Sequence, residues 1–168
     1  MIEADTPRVL KIIQKFILEN FNLNLRNLEQ EAESSAYCAC RFTLNDRVVI
    51  FRKAKITPAK NGQFVTCWKR NGEGITQPFE SSDDFEFLMI AVESGNRSGV
   101  FIFPKKVLEA QKIVMNELSR GKRGIRVYPS WDTTASRQAD KTQKWQLEHF
   151  FETPIGKSVT VSERDLFS

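Results

Sequence analysis

Two stretches decide how the rest of the chain must be arranged: Phe85-Glu86-Phe87-Leu88-Met89-Ile90-Ala91-Val92-Glu93 and Gly99-Val100-Phe101-Ile102-Phe103, set around Ser94-Gly95-Asn96-Arg97-Ser98. Each is short and almost continuously apolar. That pattern predicts two central strands buried on both faces, not strands with one wet side. Central strands covered twice require layers above and below the sheet.

The flanking segments can supply those layers. Residues 7–20 predict a helix, with Asp5 or Thr6 as its cap and Pro7 at the first helical position. Val9, Ile12, Ile13, Phe16 and Ile17 recur at three- and four-residue steps and form one apolar stripe. Residues 22–35 are polar and acidic and predict a loop or a short second helix. The period then changes to two. Cys38, Cys40, Phe42 and Leu44 point one way, and Tyr37, Ala39, Arg41 and Thr43 the other. Asn45-Asp46 is a turn into Val48-Val49-Ile50-Phe51, and Asn61-Gly62 is a turn into residues 63–69. Residues 37–69 therefore predict three consecutive antiparallel strands. A loop follows to about Asp84. Beyond the central pair, Pro104 opens a short helix with Val107 and Leu108 inward. Residues 124–128 predict a strand ended by Pro129. Residues 134–151 predict the longest C-terminal helix, with Trp145, Leu147, Phe150 and Phe151 apolar. No repeat, low-complexity tract or linker is visible. The expectation is one domain over residues 1–168, of the α/β (α+β) class: a mixed central sheet with an antiparallel meander, flanked by helices.

The chain has 168 residues, 40% hydrophobic and 27% charged. That length and composition can bury a core without disulfides, and exclude a disordered or collagen-like chain. Cys38, Cys40 and Cys67 are odd in number. No export signal or apolar run of membrane-spanning length is visible, so reduced thiols in a cytoplasmic protein with no membrane association are expected.

The formal net charge is only +4, but it is unevenly placed. Residues 41–70 hold Arg41, Arg47, Arg52, Lys53, Lys55, Lys60, Lys69 and Arg70 against Asp46 alone, a net of +7. Residues 104–145 hold ten basic residues against Glu109, Glu117, Asp132 and Asp140, a net of +6. The remainder carries −9. Segregation of this kind makes a local potential that the total conceals. Aromatic residues interleave with the cations. Cations neutralise phosphates, and aromatic faces stack on unpaired bases. The bland alternative makes the tryptophans core and the lysines a solvated rim. In the strand that begins at Val48, Arg52 shares a face with Ile50 and Ala54, while Lys53 and Lys55 share the other with Phe51. An inward charge needs a partner or a water-filled groove; the alternative is an edge strand protected by lysines.

Four stretches make the chain recognisable. They are Phe51-Arg52-Lys53-Ala54-Lys55-Ile56-Thr57-Pro58-Ala59-Lys60-Asn61-Gly62-Gln63-Phe64-Val65-Thr66-Cys67-Trp68-Lys69-Arg70, Gly99-Val100-Phe101-Ile102-Phe103-Pro104-Lys105, Gly121-Lys122-Arg123-Gly124-Ile125-Arg126-Val127-Tyr128-Pro129-Ser130-Trp131-Asp132, and Gln138-Ala139-Asp140-Lys141-Thr142-Gln143-Lys144-Trp145-Gln146. Over roughly residues 37–151 the sequence resembles the MepB-like family of small bacterial proteins. The family takes its name from a gene beside a multidrug efflux transporter, which gives context and no mechanism. The resemblance implies a fold like the restriction-endonuclease and tRNA-endonuclease group. It raises nucleic acid as a partner and a metal-dependent nuclease as an alternative, both by fold analogy.

Nucleases of that fold hold Mg²⁺ with an aspartate and a glutamate, and place a lysine two residues after the glutamate. Mg²⁺ is a hard cation that takes oxygen ligands, and the lysine stabilises charge at the attacked phosphate. No Glu/Asp-x-Lys triplet occurs in this chain. The corresponding strand positions read Cys67-Trp68-Lys69 or Phe103-Pro104-Lys105, with the acid missing. Asp84 and Glu93 bracket a central strand and stand about 30 Å apart if it is unbroken. A nuclease would need a migrated acid such as Asp46, Glu86 or Asp132, converging with a second carboxylate near Lys69 or Lys105. His149 is the single histidine and reads as a packing or surface residue. The three cysteines read as structural, and no phosphate-loop, dinucleotide or nucleophile-elbow motif occurs.

The resulting expectation is a non-catalytic module that binds DNA or RNA, without a cofactor, on Arg52, Lys53, Lys55, Lys60, Lys69, Arg70, Arg126, Arg137, Lys141 and Lys144, with Trp68, Tyr128 and Trp131 as stacking platforms. Arg137, Lys141 and Lys144 share one helix face by their spacing. The alternatives are the divergent nuclease, with Mg²⁺ its only cofactor, and a protein that docks an acidic partner. The binding expectation requires residues 41–70 and 104–145 to be neighbours in space.

Overall fold

A computed structural model of the chain describes residues 6–154 and 166–167; the cap expected at Asp5 lies outside them. The central strands are β8 (Phe87–Ser94) and β9 (Arg97–Pro104). They form an antiparallel ribbon with Met89 opposite Ile102 and Ile90 opposite Phe101. Phe87 to Val92 and Ser98 to Pro104 are buried, side chains of both faces alike. The other described strands of this sheet are β1 (Leu25–Gln30), β2 (Cys40–Leu44), β3 (Arg47–Lys53) and β11 (Phe150–Thr153), in the order β1-β2-β3-β8-β9-β11. Among the described strands of this sheet only β3 and β8 pair in parallel, so the sheet is mixed and the fold is α+β.

Two apolar layers cover the sheet. On one face Phe42, Leu44, Phe51, Met89 and Ile102 meet Ile13, Phe16 and Ile17. These come from α1 (Thr6–Ile13) and a π-helical turn, Gln14–Leu18, that continues it. Val9, Ile13, Phe16 and Ile17 are all buried, as their spacing requires. On the other face Ile50, Leu88, Ile90, Phe101 and Phe103 meet Leu108, Ile113, Val65, Ile125 and Val127. Leu108 belongs to α2 (Lys105–Ala110), Val65 to β5 (Gln63–Thr66), and Ile125 and Val127 to β10 (Gly124–Val127). Trp145 of α3 (Arg137–Leu147) packs on this layer.

A parallel pair cannot be joined by a hairpin and needs a crossover. Here residues 54–86 cross with short strands instead of a helix: β4 (Lys55–Ile56), β5, β6 (Trp68–Arg70) and β7 (Thr76–Pro78). β5 pairs with β4 on one side and β10 on the other, while β6 pairs with β7. The structure thus corrects the expected three-strand meander over 37–69: β2 and β3 form a hairpin in the main sheet, and residues 63–70 belong to other sheets. At Cys67 the partners change: its N–H extends the β5–β10 ladder to the Arg123 carbonyl at 2.7 Å, and from Trp68 onward the chain pairs with β7 instead. Residues 22–35 contain β1, which was not expected. Its pairing with β2 slips between Arg26 and Glu29, and Asn27 sits at φ 57°, so no period of two survives. The 71–84 loop contains β7. The C-terminal helix ends at Leu147, and Phe150 and Phe151 lie in β11, pairing with Phe101 and Val100 along the open edge of β9. The lysine-protected edge is also corrected, because β3 is interior.

Gly99 is where β11 comes closest. A Cβ there would stand 2.4 Å from Cζ of Phe150 and 2.9 Å from the Phe151 carbonyl oxygen. Gly99→Ala is expected to cost about 1–3 kcal/mol by overpacking. Urea denaturation should show a lower midpoint with an unchanged slope; an unchanged midpoint would contradict this contact.

Candidate functional site

The β5–β10 pairing brings the two basic segments together, with Gly124 opposite Thr66 and Val127 opposite Gln63. The Asn61-Gly62 turn before β5 then lies against the end of β10. Gly62 adopts φ +75° with the Tyr128 ring across it, 2.7 Å from where a Cβ would be. A larger residue would be strained there and would clash. The Arg126 guanidinium donates to the Asn61 carbonyl at 3.1 Å and to the Thr57 hydroxyl. On the far side of β10, the buried Gln146 of α3 accepts from the Tyr128 N–H and donates to the Arg126 carbonyl, both at 2.9 Å. These contacts tie the 57–62 turn, β10 and α3 into one unit.

Between β10 and α3 runs a groove of about 420 Å³, lined by Ile125, Arg126, Tyr128, Thr142, Trp145 and Lys122 among others. An adjoining hollow of about 400 Å³ shares Arg126, Tyr128, Ser136 and Ala139 and adds Lys60 and Asn61. No described carboxylate lines either one. Lys60, Lys122 and Arg126 have no carboxylate partner among the described residues, and neither do Arg137, Lys141 and Lys144. Each of the last three precedes a groove residue (Gln138, Thr142 and Trp145), so they form the neighbouring stripe of α3. Ser136 caps that helix, its hydroxyl accepting from the Ala139 N–H at 3.1 Å.

The other expected cations are placed differently. Arg52 is 0% exposed. Its guanidinium reaches Glu31, 22% exposed, at 2.8 Å, donates to the Phe51 carbonyl at 2.9 Å and lies over the Phe79 ring. It is taken up by the interior and is not open to an external phosphate. Lys53 pairs with Glu93 at 2.7 Å, and Arg70 with Glu33 at 3.0 Å. Hydrogen bonds from Lys15 and Lys53 outweigh desolvation and hold the Glu93 carboxyl below its usual range. Lys55 is exposed, its ammonium 4.7 Å from the Tyr37 ring centre. Of the aromatic candidates, Tyr128 lines the groove. Trp68 lies beneath Arg70, and Trp131 packs between Phe150 and Arg97. Lys122 was missed: it lay in the counted basic segment, but nothing in its neighbours marked it as facing a cavity. Trp145 was expected as core and also lines the groove.

Two carboxylates do meet at Lys69, with Glu80 at 2.8 Å and Asp83 at 2.5 Å from its ammonium. Burial opposes the charge, but the bonds from Asp83 and Glu80 hold the Lys69 pKa above its ordinary value. Lys105 donates to the carbonyls of Ser81 and Asp83. Among the described residues, no three His, Cys, Asp or Glu side chains are placed together to hold a metal. Cys38, Cys40 and Cys67 are buried free thiols. Burial pushes the Cys67 thiol up to about 12 and Cys40 higher still, against the opposing pull of Arg52. Burial likewise lowers the His149 pKa.

The family model for MepB-like proteins matches residues 31–152. The chain belongs to the MepB-like family. A crystal structure of MepB superposes with a TM-score of 0.76 at 32% identity, over 90% of this chain and 98% of that one. A bacterial homing endonuclease superposes over 86% of this chain and 85% of its own with a TM-score of 0.39 and 14% identity, too slight a likeness to bear on activity. No curated protein matches the chain. No helix among the described residues is long and apolar enough to cross a membrane.

Removing Glu31 would leave a buried guanidinium without its counter-charge. Glu31→Ala is expected to cost about 3 kcal/mol, and the double variant Glu31→Ala, Arg52→Met to recover most of it. Urea midpoints of the four proteins test this, and equal losses in single and double variants would refute it. For Glu93, stability from the depressed pKa is present above the ordinary value of 4.5 and is lost as pH falls through the folded value. Glu93→Gln should therefore flatten the acid limb of the stability curve below pH 4.5.

Proposed function

We propose that this protein is a single-domain, non-catalytic nucleic-acid-binding module, whose groove between β10 and α3 engages the phosphate backbone of DNA or RNA. One observation carries the reading. Cations without carboxylate partners gather around a groove that no described carboxylate lines, while Lys53, Lys69 and Arg70 are engaged by acids elsewhere. A cation with no carboxylate partner can meet a phosphate without giving up an ion pair, whereas a paired one must first break its own. The groove set is Lys60, Lys122, Arg126 and Tyr128, with Arg137, Lys141 and Lys144 beside it and Lys55 as a further exposed cation. A location in the cytoplasm is part of the same proposal.

The test is fluorescence anisotropy on labelled DNA and RNA across a salt series. Three phosphates neutralised by Lys60, Lys122 and Arg126 give a log–log slope of about −2.7 on duplex and about −2.1 on single strands. Lys122→Ala should reduce the steepness by about one. Arg26→Gln, on the β1 edge, should change neither affinity nor slope. A flat response, or no binding at low salt, removes the reading.

The nuclease alternative is carried by the meeting of Glu80 and Asp83 at Lys69. Incubation with either strand type in Mg²⁺ or Mn²⁺ separates the two. Cleavage that Asp83→Asn abolishes would establish the enzyme, and intact substrate would dismiss it. For the acidic-partner alternative, a pull-down that survives nuclease treatment would favour protein over nucleic acid.

A further inference from the structure

We infer that the turn carrying Leu118 is a wedge that enters between two neighbouring bases of a bound duplex and parts them, an inference that rests on the nucleic-acid reading above. Leu118 is 92% exposed, more than any other large apolar side chain among the described residues. Apolar atoms are common on protein surfaces, and a lone exposed leucine means little by itself. What sets this one apart is how it is held and what surrounds it.

The turn springs from the rim of the groove. Ile113 and Lys122 both line the groove, and the Lys122 N–H donates to the Ile113 carbonyl at 2.9 Å. That bond closes the base of an excursion whose tip is Asn116-Glu117-Leu118-Ser119. The excursion is fixed at root and tip. The Met115 N–H donates to the Phe79 carbonyl at 2.7 Å, and the Met115 carbonyl accepts from the Ser81 N–H at 3.0 Å. Gly121 adopts φ +70° and lies so near β7 that a Cβ on it would stand 2.9 Å from Cβ of Pro78. At the tip, Asn116 and Ser119 exchange backbone hydrogen bonds at 3.0 and 3.3 Å. The Asn116 side-chain oxygen also accepts from the Leu118 N–H at 2.8 Å. A leucine on a loose loop can fold back out of water. Here the backbone is committed and the side chain stands outward, as a wedge must if it is not to yield.

Charge indicates the partner. Lys112, Arg120, Lys122 and Arg123 are exposed and have no carboxylate partner among the described residues. Glu117 is the one acid between Gln111 and Arg123. Cations on both sides of an apolar tip match a duplex, in which phosphates flank every base step. Leucine is among the side chains that architectural proteins insert between bases to kink DNA. A lipid surface or an apolar protein pocket is met by several apolar side chains together. Along this turn the neighbours of Leu118 are Glu117, Ser119 and Arg120.

The experiment uses a short duplex carrying a fluorescent purine analogue that brightens when it leaves its stack, at saturating protein and low salt. The natural protein should raise the emission. Leu118→Ala should lose that rise with an unchanged salt slope of binding, because a neutral side chain releases no counterions. Leu10→Ala, which removes an exposed leucine of α1 across the sheet, should keep it. A second measurement places one mismatched pair in the duplex, which lowers the cost of unstacking. The natural protein should bind the mismatched duplex on the order of tenfold more tightly than the matched one, and Leu118→Ala should bind both alike. Circular dichroism would verify that the variant remains folded. If the natural protein binds without brightening, or if Leu118→Ala brightens the probe as much, the inference fails while the nucleic-acid reading stands. If nothing binds, that reading falls and the inference with it.

Discussion

The ribbon of β8 and β9 is apolar on both faces, and the remaining elements answer to the need to cover it twice. A strand with one wet face leaves its neighbours free to be thin or absent on that side. This ribbon does not, because exposing either row would leave phenylalanines, isoleucines and valines in water at about 25 cal/mol for each Å². The helix stripe of Val9, Ile13, Phe16 and Ile17 covers one side. The other side is covered by pieces, namely two short strands, a short helix and Trp145, and the groove lies among those pieces.

The parallel pairing of β3 with β8 links this constraint to the candidate site. The chain must travel back to the start of β8 after β3 ends, and it does so over the second apolar face. On the way it lays β5 where β10 can pair with it. Residues far apart in sequence, Lys60 and Lys122 among them, thus come to line adjoining hollows. Arg52, one residue from the end of β3, illustrates the opposite fate. Its face is the one the crossover covers, so its charge is enclosed with Glu31 rather than presented outward.

Periodicity made the large apolar elements legible. The α1 stripe, the alternation of Cys40, Phe42 and Leu44, and the central ribbon follow from residue spacing because each buries a continuous row. What was illegible had no such row. β1 hides behind a bulge at Asn27, β6 and β7 have three residues each, and Phe150-Phe151 continued an apolar pattern that did not distinguish helix from strand. At the site, residue type identified Arg126, Tyr128, Lys60 and the α3 cations. It could not tell paired from unpaired charge, because Glu93, Glu80 and Glu33 reach their lysines and arginines from distant segments. Lys122 needed the cavity itself to be seen.

Gln146 has a consequence for how molecules of this protein meet one another. Among the described residues, β10 is the last strand of its small sheet, and one side of its backbone has no strand partner. A bare edge of this kind is a template on which another chain can add a strand and begin to aggregate. The amide of Gln146 behaves like a peptide group supplied by a helix: its oxygen takes the Tyr128 N–H and its nitrogen serves the Arg126 carbonyl. One side chain thereby caps the ladder and denies a stray strand its first two hydrogen bonds on that edge.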